Sequence, residues 1–203
     1  ALFRSQLTFS GADFTATFDK QSGLLVSYRY KKQEFIHNGQ GPRPFFWRAP
    51  IDNDYGARLP VRLKAWKEAS YQEPKAENFD IVRGKDSTAV KVTYRFPQTD
   101  ARWDITYKVY SNGVIKVNNH FVAENAQAPM IPRVGLRMQL PARITSLAYY
   151  GRGPEENYRD RRTSQFFGEY TSDIKDMYEP YVRPQENNHR TDIYWCTLTS
   201  KAK

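Results

Sequence analysis

The chain has 203 residues, a net charge of +9, 39% hydrophobic and 15% aromatic residues; it is long enough for one large domain, and the rings offset a low mean hydropathy by burying large areas. A single cysteine, Cys196, excludes an internal disulfide framework and a cysteine-based zinc cluster, and His37, His120 and His189 are not at metal-ligand spacing. The basic residues alternate with acids and form no continuous stripe, which reads as a solvated surface and not as a nucleic-acid face.

Residues 3–9 and 13–19 alternate in the strand manner, with Phe14, Ala16 and Phe18 on one face. A turn signal, Asp19-Lys-Gln-Ser-Gly23, precedes a strand over 24–30, and Phe35–Ile36 read as a short strand. Residues 39–44 form a loop by composition. Asp52, Asn53 and Asp54 before Gly56 look like the start of a calcium loop, but the remaining EF-hand ligands are absent. Capping of turns and of the next helix is the plainer reading of these side chains. Leu59, Leu63 and Trp66 recur at helical spacing over 58–69, with Pro60 in the first turn, so one short helix is expected there as core packing.

From residue 79 the strand pattern returns. Strands over 79–82 and 89–96 flank Gly84-Lys-Asp-Ser, and strands over 102–110 and 114–123 flank Ser111-Asn-Gly113, the strongest hairpin signal in the chain. Further strands are expected over 134–140, 144–150, 165–170 and 193–199. The last is apolar and β-prone with almost nothing after it, so the chain reads as C-terminally truncated. Short strands separated by turn signals, with no repeat and no low-complexity linker, give an all-β antiparallel sandwich over 1–203 as a single domain.

Two clusters near the C-terminus are dense in polar and aromatic side chains: Gly151-Arg-Gly-Pro-Glu-Glu-Asn-Tyr-Arg-Asp160 and Tyr181-Val-Arg-Pro-Gln-Glu-Asn-Asn-His-Arg190. Each carries a Gly or Pro turn signal and reads as a loop. Arg, Glu, Asn, Tyr and His together suit hydrogen bonding to sugar hydroxyls under a stacked ring; they equally suit a polar network that pins two loops. The candidate contacts are Arg152, Glu155, Asn157, Tyr158, Glu186, Asn187, His189 and Arg190. A glycosidase needs two carboxyl groups facing one sugar ring, but nothing in the spacing of Glu155, Glu156, Asp160, Glu186 and Asp192 fixes such a pair. A general acid must also hold its proton, which an arginine-rich setting opposes. No G-x-S-x-G or phosphate-loop pattern appears.

Arg48-Ala-Pro-Ile-Asp-Asn-Asp54, Gly151-Arg-Gly-Pro-Glu-Glu-Asn-Tyr-Arg-Asp-Arg161 and Met177-Tyr-Glu-Pro-Tyr-Val-Arg-Pro-Gln-Glu-Asn187 closely resemble, in order and spacing, the C-terminal domain of large bacterial β-galactosidases, the LacZ-type enzymes of glycoside hydrolase family 2. The resemblance covers essentially the whole chain. It implies a β-supersandwich of the galactose-mutarotase-like type. It further implies a parent enzyme that hydrolyses terminal β-galactosides with retention, whose catalytic glutamates and magnesium site belong to a barrel domain outside this chain. On that basis no residue here is catalytic or a metal ligand, no cofactor binds this chain, and the isolated chain is expected to be inactive. Its role would be structural and pocket-shaping; its partners would be the other domains of the parent and the galactoside held there, with no nucleic acid and no membrane. A soluble protein of the bacterial cytoplasm or periplasm is implied. The family's tryptophan-bearing loop lies beyond the last motif, so Trp195 is not its counterpart. The family often has glycine where this chain has Asn188, a residue that tolerates the left-handed conformation. The competing function is a stand-alone carbohydrate-binding module built on the eight candidate contacts; a weaker one is polyanion binding.

Overall fold

The structure, a computed structural model, describes residues 5–125 and 130–200. Its strands pair antiparallel throughout the ladders that join them, as the all-β reading requires. By proximity the chain divides into two compact units, Ala1–Trp47 with Val61–Pro141, and Arg48–Pro60 with Ala142–Lys203.

The first unit is a sandwich. One sheet runs in chain order through β1 (Gln6–Ser10), β2 (Phe14–Asp19), β3 (Leu25–Tyr30) and β4 (Gln33–Glu34). Phe3 and Arg4, the start of the expected first strand, lie outside the described residues. Alternation in β2 is nearly ideal: Phe14, Ala16 and Phe18 are buried and the residues between them half-buried. β4 falls on 33–34 and not on Phe35–Ile36. Past Glu34 the ladder gives way to its carboxylate, which accepts the N–H groups of Tyr28, Phe35 and Ile36 at 2.9, 3.0 and 2.9 Å, while the Phe35 N–H keeps one last bond to the Tyr28 carbonyl at 2.8 Å.

The second sheet is the meander β6 (Asn78–Arg83), β7 (Ser87–Phe96), β8 (Ala101–Tyr110) and β9 (Ile115–Ala123). In β8 every second residue from Ala101 to Val109 is buried. The expected Asn-Gly turn closes β8 onto β9, with Gly113 at a φ of 89° that L side chains rarely adopt. The two sheets face each other: Phe18 meets Tyr107 with ring centroids 5.2 Å apart, and the Tyr28 hydroxyl donates to the Gly113 carbonyl at 2.8 Å.

A two-stranded ladder, β5 (Arg43–Phe45) with β10 (Gly135–Arg137), borders this core. β10 is shorter than the strand expected over 134–140, because beyond Arg137 the chain bonds to a loop: the Gln139 N–H donates to the Gln40 carbonyl and the His37 N–H to the Gln139 carbonyl.

The single expected helix over 58–69 is replaced, among the described residues, by α1 (Asp52–Gly56), α2 (Leu59–Arg62) and α3 (Lys64–Tyr71), with two 3-10 turns later in the chain. Arg58, at a φ of 56°, separates α1 from α2, and Leu63, at a φ of −110°, interrupts the expected helix. Trp66 and Ala69 of α3 are buried as the periodicity implies. Phe46 sits at the centre of this part of the core, 4.9 Å from Trp66, 5.0 Å from Phe96 and 5.3 Å from Trp103 between ring centroids. The Ser70 hydroxyl ties it down, accepting the Phe46 N–H and donating to the Trp66 carbonyl.

The second unit is organised on a three-stranded sheet in the order β12 (Phe166–Asp173), β11 (Ser146–Gly153), β13 (Trp195–Thr199). Among the described residues no helix is long and apolar enough to cross a membrane.

Candidate functional site

The two polar clusters meet in the second unit, but the first begins differently from the loop its composition implied. Gly151-Arg-Gly153 is not a turn: β11 runs through it, paired to Gly168, Phe167 and Phe166 of β12. The glycines serve close approach instead. A Cβ on Gly153 would lie 2.3 Å from the Tyr149 hydroxyl, and one on Gly151 would lie 2.9 Å from the Asp192 carbonyl oxygen. Arg152, between them, donates to Asp192 at 2.7 Å and to the Gln165 carbonyl at 3.0 Å, with its guanidinium 4.5 Å from the Phe167 ring. Glu155 is exposed, and its N–H donates to the Gln165 side chain.

Asn157 is fully buried and its side chain is saturated. Its amide nitrogen donates to the carbonyls of Arg152 and Glu155 at 3.2 and 3.3 Å, and its oxygen accepts the N–H and hydroxyl of Thr191 at 3.0 and 2.6 Å. An asparagine amide offers two donors and one carbonyl oxygen, so nothing is left for a ligand. The backbone of Asn157 completes the link, its N–H donating to the His189 carbonyl while its own carbonyl accepts from His189 Nδ1, both at 2.8 Å. That contact places the imidazole proton on Nδ1.

His189 stacks on Tyr158, centroids 4.8 Å apart and planes 17° from parallel, and the Arg161 guanidinium lies 4.8 Å from the same tyrosine ring. Burial pushes the Tyr158 phenol up to about 12, and the nearby charges of Glu156 and Glu186 act in the same direction. Glu156 accepts from Arg161, from the Tyr181 hydroxyl and from the Asn188 N–H. Asn188 holds a φ of 61°, the left-handed conformation its identity allows. Arg190 donates to the Tyr149 hydroxyl, to the Pro154 carbonyl and to Asn188. Asn187 bonds the Glu179 backbone in both directions.

The stretch before α1 joins the same assembly. Glu186 accepts the Ala49 N–H at 3.2 Å, and Arg183 donates to Asp52 at 2.9 Å. Asp54 is buried, paired with Arg48 at 2.7 Å, and accepts the N–H of Ile51, which is the backward half of a capping box. The three motifs quoted above thus converge on one network.

Of the eight candidate contacts, Arg152, Asn157, His189 and Arg190 are brought together as struts, Tyr158 stacks on His189, and Glu186 and Asn187 each tie down backbone nearby. Glu155 stands outside with its carboxylate exposed. Sequence reading missed Thr191 and Tyr149 as partners of the site. It weighed Glu156 and Asp192 only as carboxylates by type, although both lie within one or two residues of singled-out positions. Among the described residues no group of three His, Cys, Asp or Glu side chains is placed to hold a metal ion.

A family profile described as the β-galactosidase small chain matches residues 10–203. The chain is 36% identical over 194 residues to a β-galactosidase of Priestia megaterium, covering 96% of this chain and 18% of that protein. It is 37% identical over 163 residues to a β-galactosidase of Clostridium acetobutylicum, covering 80% of this chain and 18% of that protein. A β-galactosidase of Lactobacillus delbrueckii subsp. bulgaricus is 33% identical over 95% of this chain. The chain therefore spans less than a fifth of the length of the relatives it matches, and it belongs to the β-galactosidase small-chain family.

Proposed function

We propose that this domain of a β-galactosidase shapes and braces the sugar pocket of a retaining enzyme of glycoside hydrolase family 2, acting on terminal β-D-galactosides, with the catalytic glutamates and a magnesium ion on a barrel domain outside this chain. The observation that carries the reading is the saturation of the polar cluster. Asn157 is fully buried and makes four side-chain hydrogen bonds, and Arg152 and Arg190 spend their donors on carbonyls, side chains and a phenol of the same unit. Groups so engaged fix the positions of loops and are poorly placed to give or take a proton. A clamped loop is what a pocket wall requires, because a site depends on the rigidity of what holds it.

The test is hydrolysis of a chromogenic β-galactoside by the purified chain beside a full-length parent enzyme. Turnover by the parent alone is the expected result; turnover by the 203-residue chain overturns the assignment of the chemistry to another domain. Saturable galactose binding by this chain alone would instead favour a carbohydrate-binding module built on the eight candidate contacts.

A further inference from the structure

In the ladder of β5 with β10, Arg43 stands directly opposite Arg137. Residues directly opposed in an antiparallel pair project from the same face, and like charges there are destabilising. Three other arginines of the same unit have carboxylate partners: Arg29 pairs with Glu34, Arg102 with Asp104, and Arg95 with both Glu77 and Glu124. Among the described residues neither Arg43 nor Arg137 forms an ion pair. Arg43 donates only to neutral acceptors, the Gln40 side chain at 3.0 Å and the Gln72 carbonyl at 2.6 Å. The Arg137 guanidinium carbon lies 5.2 Å from the Phe45 ring centroid and 5.9 Å from that of Tyr71, cation–π contacts that are not hydrogen bonds.

Both arginines line one cleft of about 210 Å³, together with Gln40, Tyr71, Glu73 and Gln139. The cleft holds two cations against one acid, the exposed Glu73. It is below the roughly 300 Å³ at which pockets for drug-sized ligands begin, so its occupant is small. We propose that this cleft is a binding site for a small oxyanion, a phosphate or carboxylate group held between the Arg43 and Arg137 guanidinium groups. An oxyanion there turns the cost of two opposed cations into a pair of charge-assisted hydrogen bonds, and the planar fork of arginine suits oxygens of that geometry. The site lies in the first unit and shares no residue with the polar network of the second, so it does not depend on the role proposed for that network.

The experiment is calorimetric titration of the 203-residue chain with sodium phosphate, and separately with sodium acetate, in chloride buffer of matched ionic strength. The expected result is one saturable site for at least one of the two anions, and which of them binds identifies the source of the oxyanion. Arg137→Gln is expected to weaken that binding at least tenfold, and Arg137→Lys, which keeps the charge and loses the fork, by an intermediate factor. Arg83→Gln, on β6 and outside the cleft, is expected to leave it unchanged. Arg137 is exposed and donates no hydrogen bond within the described residues, so its replacement should leave the melting temperature within a degree or two of the parent chain. No saturable binding of either anion, or equal binding by R137Q, overturns the proposal.

Discussion

Asn157 and Thr191, 34 residues apart, are joined by two hydrogen bonds into one oxygen: the Thr191 N–H and hydroxyl both donate to Asn157 Oδ1. Asn157→Ala removes that acceptor and the two donors to Arg152 and Glu155, and leaves four hydrogen bonds unmade around a fully buried side chain. A buried polar group left unsatisfied costs about 1–3 kcal/mol, and several bonds are lost at once. The expected loss is about 3 kcal/mol or more, read from the urea midpoint by aromatic fluorescence. Thr191→Val removes only the hydroxyl and should cost about 1 kcal/mol. Because the two residues share one oxygen, the double substitution should cost less than the sum. Additive losses would mean that the pair does not act as a unit.

Phe46 is fully buried and meets Trp66, Phe96 and Trp103 ring to ring. Phe46→Ala should cost about 3–5 kcal/mol through lost burial and a residual cavity. Phe46→Leu, which refills most of the volume, should cost clearly less. Equal midpoints for both variants in guanidinium denaturation would show that the aromatic cluster does not hold this core.

These positions differ in how visible they were beforehand. Where burial follows the backbone period, the sequence was explicit: β2 and β8 alternate as written, and the Asn112-Gly113 turn lies between its strands. Period-2 reading failed where a side chain captured the backbone, as Glu34 does beside β4, and where glycine signalled close packing and not a turn, as in Gly151-Arg-Gly153. The density of Arg, Glu, Asn, Tyr and His fell on the stretches that form the second unit's network. Its wiring was hidden because the decisive pairs are non-local: Asn157 with Thr191, Glu156 with Tyr181, Arg190 with Tyr149. No periodicity encodes such contacts. Asn188 differs in kind, since its residue type tolerates the positive φ that it adopts.

Gly153→Ala tests the close approach under β11. The new methyl would meet the Tyr149 hydroxyl at 2.3 Å and the Tyr170 ring at 2.7 Å. Tyr149 is buried and its hydroxyl is held between Arg190 and the Pro154 carbonyl, so it cannot swing away without breaking both contacts. Overpacking of this kind costs about 1–3 kcal/mol, and the same loss should appear as faster hydrogen exchange in β11 and β12. Exchange rates unchanged in both strands would show that the sheet accommodates the methyl freely.

The Tyr158 phenol supplies a pH dependence whose sign can be worked out. Burial, reinforced by Glu156 and Glu186, raises its pKa to about 12 in the folded chain, against about 10 for an unfolded tyrosine. Below pH 10 both states keep the proton, and the group adds no slope. Between pH 10 and about 12 the unfolded state releases a proton that the folded state retains, so stability falls as pH rises through that window. Tyr158→Phe keeps the ring stacked on His189 and removes the titrating group. Urea midpoints measured from pH 9 to 12 should therefore fall less steeply for Y158F than for the parent chain. Tyr94 and Tyr107, also raised by burial, contribute equally to both proteins and cancel in the difference. Parallel curves across the window would mean that the phenol ionises as readily in the folded chain as in the unfolded one, and that the stacked pair is not shielded from solvent.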